Sequence, residues 1–162
     1  MQGEIGTRMN VTLTWQEVAQ GAWTGTQRQM HALKDRRTSV FGFEGDDWGI
    51  HIEGACGEIA AAKAMDRYWS ASVNTFKVGG DVGQVQVRTR SRHDYELLIR
   101  DNDRDEDVFV LVTGKIPDFY VRGWIVGRDG KRDEWRKAHG GRPPAWFVPH
   151  DALHPIKQLE AA

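Results

Sequence analysis

Two hydrophobic periods divide the chain. Over residues 14–36 the apolar positions recur at helical spacing, with Trp15, Val18, Ala22, Gln29 and Leu33 along one face. Thr14 followed three places later by Glu17 has the spacing of a capping box, which marks the helix start. Gly21 and Gly25 sit inside this helix and weaken it on propensity alone. A Gly- and Asp-rich connector covers 38–49, and a second helix is predicted over 52–69, IEGACGEIAAAKAMDRYW. There Ala55, Ile59, Ala62 and Met65 form a stripe, and the alanine-rich centre joins high helix propensity to small girth.

Beyond residue 70 the period changes to two. Strand-like runs occupy 76–78, 82–90, 95–100, 108–113 and 119–126, with turn-rich breaks at Gly79-Gly80, 101–107 and 114–118. The run VFVLV at 108–112 is continuously apolar, as in a central strand covered on both faces. A polar helix over 130–138, a short strand at 146–148 and a last helical turn or two from Asp151 complete the pattern. No repeat, linker or low-complexity tract divides it. The expectation is one domain, residues 1–162, of mixed α/β (α+β) class.

Composition narrows this picture. With 40% apolar residues and seven tryptophans among 162 residues, the chain can build a core. A net charge of -1 offers no global attraction for nucleic acid, so any polyanion must be met by a local patch. The single cysteine, Cys56, excludes an internal disulfide and a Cys-rich zinc site, and between Ala55 and Gly57 it reads as a small buried hydrophobe. No apolar run nears the ~20 residues of a membrane span, and MQGEIGTRMN lacks the apolar core of a signal peptide. A cytoplasmic protein without a membrane partner is the expectation.

Several motifs fail on inspection. The acidic run 101–107 opens like a calcium loop, yet Glu106 stands where glycine is needed and Val112 where a bidentate Glu is needed. It reads as a solvated hairpin loop. The histidines lack metal-ligand spacing, no G-K-[ST] follows the Gly79-Gly80-x-x-Gly83 cluster, and no serine lies in an elbow motif. Trp124 and Trp146 read as core residues.

The segment GGDVGQVQVRTRSRH is different. Alternation places Gln84, Gln86, Arg88 and Arg90 on one face, with Val85 and Val87 on the other. Asp81 precedes this face, and Glu58 lies among Ala and Gly on the preceding helix, where a carboxylate is costly without a cation or donors. Two carboxylates with an amide oxygen suit a hard divalent cation. Lys77, Arg90, Arg92 and His93, near Phe76 and Tyr95, form the concentrated basic stretch, suited to phosphate-backbone contact. The bland readings stand beside these. The polar face serves as a solvated outer face, Glu58 pairs with Lys63 or Arg67 on the helix surface, and Asp81 stabilises a turn.

Glu58 on a helix, then Asp81, then Gln86-x-Arg88 on the next strand resembles the signature of the PD-(D/E)XK nuclease superfamily, the restriction-endonuclease-like fold. The resemblance spans most of residues 50–150. The stretch GACGEIAAAKAMDRYWSASVNTFKVGGDVGQVQVRTRSRHDYELLIR, with VFVLVTG, GWIVG and WFVPHDAL, is similar to segments of phage and prophage proteins. It implies an αβββαβ core, a central mixed sheet flanked by helices, with the 14–36 helix as an N-terminal addition. It further implies Mg²⁺- or Mn²⁺-dependent hydrolysis of DNA phosphodiesters, in the cytoplasm of a bacterial host if phage-encoded. Asp81, Glu58 and Gln86 would hold the metal and Arg88 would clamp the phosphate, while Lys77, Arg90, Arg92 and His93 contact the nucleic acid. The fold often works as a homodimer, but no sequence feature marks an interface.

Three departures qualify the activity. Gln86 replaces the commoner Glu or Asp and removes one negative charge from a metal site. Arg88 replaces the usual Lys; it can hold a phosphate bidentately but cannot serve as a base. Gly80 replaces the Pro before Asp81. The alternative left open is a nuclease-derived module that binds nucleic acid or a protein partner without turnover, such as a phage accessory protein.

Overall fold

Helix α2 is where the architecture starts, because its small residues let two layers close on it at once. The computed structural model describes residues 8–35, 46–73 and 80–159; the strand expected at 76–78, with Lys77, and most of the 38–49 connector lie outside them. Helix α2 spans Asp47–Met65 and helix α1 spans Trp15–Lys34. Ala55, Cys56, Ala60 and Ala61 are completely buried, so α2 is covered on more than one side. One side meets α1 through Gly21 and Gly25, which face Cys56 and Ile52. Another meets the sheet through Gly57, where an added Cβ would lie 2.0 Å from the Thr89 hydroxyl oxygen.

The glycines of α1 therefore mark contact rather than weakness. Its buried face is Gly21, Thr24, Gly25 and Gln29; of the expected face, Gln29 is buried and Val18 packs against the core, whereas Trp15 and Leu33 are 70% and 57% exposed. The capping box forms as the spacing requires: Thr14 Oγ1 accepts from the Glu17 N–H, and Glu17 Oε1 accepts from the Thr14 N–H. Gly25→Ala tests the close approach. Alanine gains about 1 kcal/mol of helix propensity, yet its Cβ would stand 2.5 Å from the Ile52 Cα, a backbone atom. Overpacking of about 1–3 kcal/mol should win, so the urea midpoint should fall. A rise would mean that the helices separate without cost.

Beneath α2 lies a four-stranded sheet of β1 (Met9–Thr12), β2 (Val85–Arg90), β4 (Val108–Lys115) and β5 (Asp118–Val126), in the order β1-β5-β4-β2. Strands β2 and β4 run parallel, and the other pairs antiparallel. Strand β4 is the apolar run VFVLV and is covered on both faces, as its composition requires. Val110 and Val112 join the core under α2, whereas Phe109 and Leu111 join a second core. That second core is closed by another sheet, β3 (Leu97–Ile99), β7 (Ala145–Val148) and β6 (Arg136–Lys137), in the order β3-β7-β6.

The chain is thus mixed α+β, with four α-helices and two sheets among the described residues. Three expectations need correction. The second face of the main sheet is covered by strands rather than by helices. The polar helix expected at 130–138 is a single turn α3 (Gly127–Gly130), a 3-10 turn at Asp133–Trp135 and the strand β6. Pairing of Arg136 with Trp146 across β6 and β7, and packing of Trp135 on the second core, override helix propensity there. The acidic run 101–107 joins strands of different sheets, so it is no hairpin. A final turn α4 (Ile156–Leu159) follows a 3-10 turn at His150–Ala152. Among the described residues, no helix is long and apolar enough to cross a membrane.

Candidate active site at the edge of the main sheet

Strand β2 is an edge strand, and the four motif residues are distributed around that edge. Glu58 follows the Gly57–Thr89 contact on α2 and is only 6% exposed. Burying a carboxylate requires compensation, and Arg28 from α1 supplies it. Its Nη1 donates to Glu58 Oε2 at 2.6 Å and its Nη2 to Oε1 at 3.0 Å. The same guanidinium donates twice to the Ser72 carbonyl oxygen, from Nε at 3.0 Å and from Nη2 at 2.8 Å. Trp69 Nε1 donates to Glu58 Oε1 at 3.1 Å. The partner of Glu58 is therefore Arg28 and not Lys63, which pairs with Glu17.

Asp81 sits where the chain folds back before β2. Val82 and Val85 bridge each other, and Gly83 takes φ +59° in the turn between them. Gly80 must be a glycine on geometric grounds, because a Cβ there would lie 2.3 Å from the Val85 carbonyl oxygen. This fold-back brings Asp81 Oδ2 to 2.7 Å from the Val87 N–H, an outward main-chain donor of the edge strand. Asp81 thus has a structural duty toward Val87, while Gly79 of the turn it was expected to stabilise lies outside the described residues.

Burial raises the pKa of both carboxyls. For Glu58 the Arg28 hydrogen bonds oppose that rise and the nearby Asp81 charge adds to it. For Asp81 the Val87 N–H opposes it, followed by the charges of Arg88 and Arg28. A carboxyl whose folded pKa lies above its unfolded value keeps its proton longer in the folded state. Its stabilising contribution then declines as pH rises above the ordinary values of 4.5 for Glu and 3.8 for Asp. Asp81→Asn keeps an acceptor for Val87 and removes the repulsion on Glu58. The variant should be more stable than wild type at neutral pH, by about 1 kcal/mol, with the difference shrinking toward pH 4 in denaturant titrations. A destabilised variant would assign Asp81 to architecture alone.

Gln86 and Arg88 lie on the other side of the edge. Val85 and Val87 belong to the core beneath α2, so alternation turns Gln86 and Arg88 to the opposite face. Arg88 rests over the Phe109 ring at 5.0 Å and donates from Nη2 to Asp103 Oδ1 at 2.7 Å. Asp103 is held in turn, because its Oδ2 accepts the Arg100 N–H at 2.8 Å. The structure therefore joins Glu58 to Arg28 on the helix side and places Arg88 on the far side. Asp81 stands at the edge, within electrostatic reach of both arginines. Gln86 is not brought to either carboxylate by any hydrogen bond among the described residues.

The basic residues lie toward the other end of β2. Arg90 donates to the Glu96 carbonyl oxygen at 2.9 Å and covers the Tyr95 ring at 4.7 Å. Arg92 is fully engaged with Asp94, through Nε at 2.9 Å and Nη2 at 3.0 Å. His93 stacks on Tyr120 with ring centroids 3.9 Å apart, and its Nδ1 is 2.9 Å from Thr113 Oγ1. Partial desolvation pulls the His93 pKa down, with Arg122 and Arg8 adding to the effect, so the ring is neutral at pH 7. A phosphate contact from His93 would be a neutral hydrogen bond.

Arg28, Trp69 and Asp103 were not visible as site residues in the sequence. Arg28 carried one usable signal: it falls three residues after Gly25, on the small-residue face of α1 that α2 covers. Asp103 belongs to an acidic run that is a set of clamps, with Asp101 on Arg136, Asp103 on Arg88 and Asp105 on Lys131.

A hard cation would meet two carboxylates here, both needing positive charge that Arg28 now supplies. Among the described residues no group of three or more His, Cys, Asp or Glu side chains stands together. The donor set is therefore Glu58 and Asp81, and three of the roughly four lone-pair directions of Glu58 are taken by Arg28 and Trp69. No protein-family model, curated protein or solved structure matches this chain.

Proposed function

We propose that this chain is a metal-dependent nuclease of restriction-endonuclease-like architecture that hydrolyses phosphodiester bonds of DNA. One observation carries the reading: two desolvated carboxylates, Glu58 and Asp81, stand in electrostatic contact at the edge of β2, with an arginine on each side. An ion pair with Arg28 needs only one carboxylate. The second raises the pKa of the first, a cost that a purely structural bridge has no reason to carry.

In this reading Glu58 and Asp81 would hold a Mg²⁺ or Mn²⁺ ion, and the chemistry such an ion would supply is charge neutralisation at the scissile phosphate and acidification of a water. Arg88 holds a phosphate oxygen from the far side of the strand, oriented by Asp103 and the Phe109 ring. Arg28 keeps Glu58 charged and fixed when no phosphate is bound. Arg90, at the end of β2, receives the flanking backbone.

The bidentate Arg28–Glu58 bridge also favours a second reading, a nucleic-acid-binding module without turnover, because Glu58 is already satisfied. Incubation of supercoiled plasmid and single-stranded DNA with the protein and Mg²⁺ or Mn²⁺ separates the two. Cleavage that disappears with chelator supports the nuclease. Salt-dependent binding without cleavage by either metal supports the module.

A further inference from the structure

Helix α1 packs within the chain against α2, and its glycine face is taken up by that contact. A second face remains, and it is apolar. On a helical wheel Trp15, Ala19, Ala22, Trp23, Met30 and Leu33 fall within an arc of about 100°. Thr26 is the one polar residue in that arc, and no charged side chain enters it. The four large members, Trp15, Trp23, Met30 and Leu33, are between 50% and 70% exposed. The apolar period that reads as a core face in the sequence is thus turned largely to solvent.

Its size decides what it can do. A buried aromatic side chain covers about 150–250 Å², so the exposed parts of the two tryptophans amount to about 300 Å². Met30 and Leu33 bring the stripe to about 500 Å² per chain. Apolar patches of roughly 300–600 Å² are the largest that soluble monomers usually carry, and they often serve contacts. Two such stripes face to face would bury about 1,000 Å², the size at which specific association between proteins begins.

The order of residues along the stripe selects the occupant. Trp15 and Leu33 stand at its two ends, with Ala19 and Ala22 toward the middle. A twofold axis across the middle of α1 would set Trp15 of one copy against Leu33 of the other, and Ala22 against Thr26. Large residues then meet at the ends and small ones near the axis, so the patch is its own complement. A membrane surface fits less well, because amphipathic membrane helices carry many lysines and arginines on the polar face. Outside the stripe the exposed side chains of α1 are Gln16, Gln20 and Lys34.

We propose that this chain forms a twofold-symmetric dimer by antiparallel packing of α1 on α1 through this stripe. The dimer stands on the exposed face of α1 and does not rest on hydrolysis at Glu58 and Asp81.

Sedimentation equilibrium of the full chain tests the association. Wild type should approach twice the chain mass of 18.4 kDa, with a dissociation constant on the order of micromolar, as suits an interface at the lower end of the size range. Trp23→Glu should raise that constant by about thirtyfold or more, the scale of a tryptophan hot spot. Trp23 is 65% exposed, so its far-ultraviolet circular dichroism should match wild type. Mixing reads the register: Trp15→Glu and Leu33→Lys should each weaken self-association, and their equimolar mixture should associate more tightly than either alone. Asp81→Asn should leave the mass unchanged. A wild-type chain that stays monomeric well above micromolar concentration overturns the proposal, even if the protein cuts DNA. Monomer that cosediments with anionic phospholipid vesicles would assign the stripe to a membrane surface and overturn it too. A dimer that persists in Trp23→Glu, or a mixture no tighter than its components, does the same.

Discussion

Arg28→Met should lower the unfolding free energy by about 3–5 kcal/mol at pH 7, the cost of stranding a buried ion-pair partner. Glu58 and Arg28 have side chains only 8% and 19% exposed, so solvent screens little of the loss. Methionine retains much of the volume but none of the donors to Glu58 and the Ser72 carbonyl. Two carboxylates then share the edge of β2 without Arg28. Because burial already raises both pKa values, protonation on acidification should recover part of the loss. The same variant reports on the cation. If Glu58 and Asp81 form a metal site, Mg²⁺ or Mn²⁺ should restore stability by about 1.4 kcal/mol for each tenfold excess over the dissociation constant. Urea midpoints with and without metal read this directly, and no response to metal would leave Arg28–Glu58 as a structural bridge.

Asp81→Asn should abolish DNA cleavage, by about a hundredfold or more, since loss even of groups that only support a metal site costs 10–100-fold. The fold should survive, because asparagine still offers an oxygen to the Val87 N–H. The variant thus couples lost hydrolysis to unchanged or improved stability at neutral pH, a pairing expected of a functional carboxylate. Equal loss of cleavage and stability would trace the effect to the fold-back before β2 instead.

Elements with a strong period were legible in the sequence. The capping box at Thr14 and Glu17 fixed α1, the Ala-rich run fixed α2, and VFVLV marked the doubly covered β4. Less was legible where tertiary contacts overrule local pattern. The apolar face inferred for α1 included Trp15 and Leu33, whereas close approach to α2 selected the glycine face. The 130–138 segment looked helical, but β7 claimed its end as a strand. Site residues divide in the same way. Glu58 and Asp81 stood out as carboxylates beside small residues, while their counter-charge, Arg28, is remote in sequence and carries no motif. The acidic run at 101–107 is a largely exposed loop, as expected, but its ion pairs were not legible because their arginine and lysine partners come from other strands and loops.

The central claim is that Glu58 and Asp81 together form a divalent-cation site. Electron paramagnetic resonance with Mn²⁺ measures this most directly, since bound and free ion are distinguished without reference to any substrate. Wild-type protein should bind one Mn²⁺ per chain, Mg²⁺ should compete for it, and Asp81→Asn and Glu58→Gln should each lose it. Absence of bound Mn²⁺ in wild type, or binding unchanged in both variants, would contradict the account.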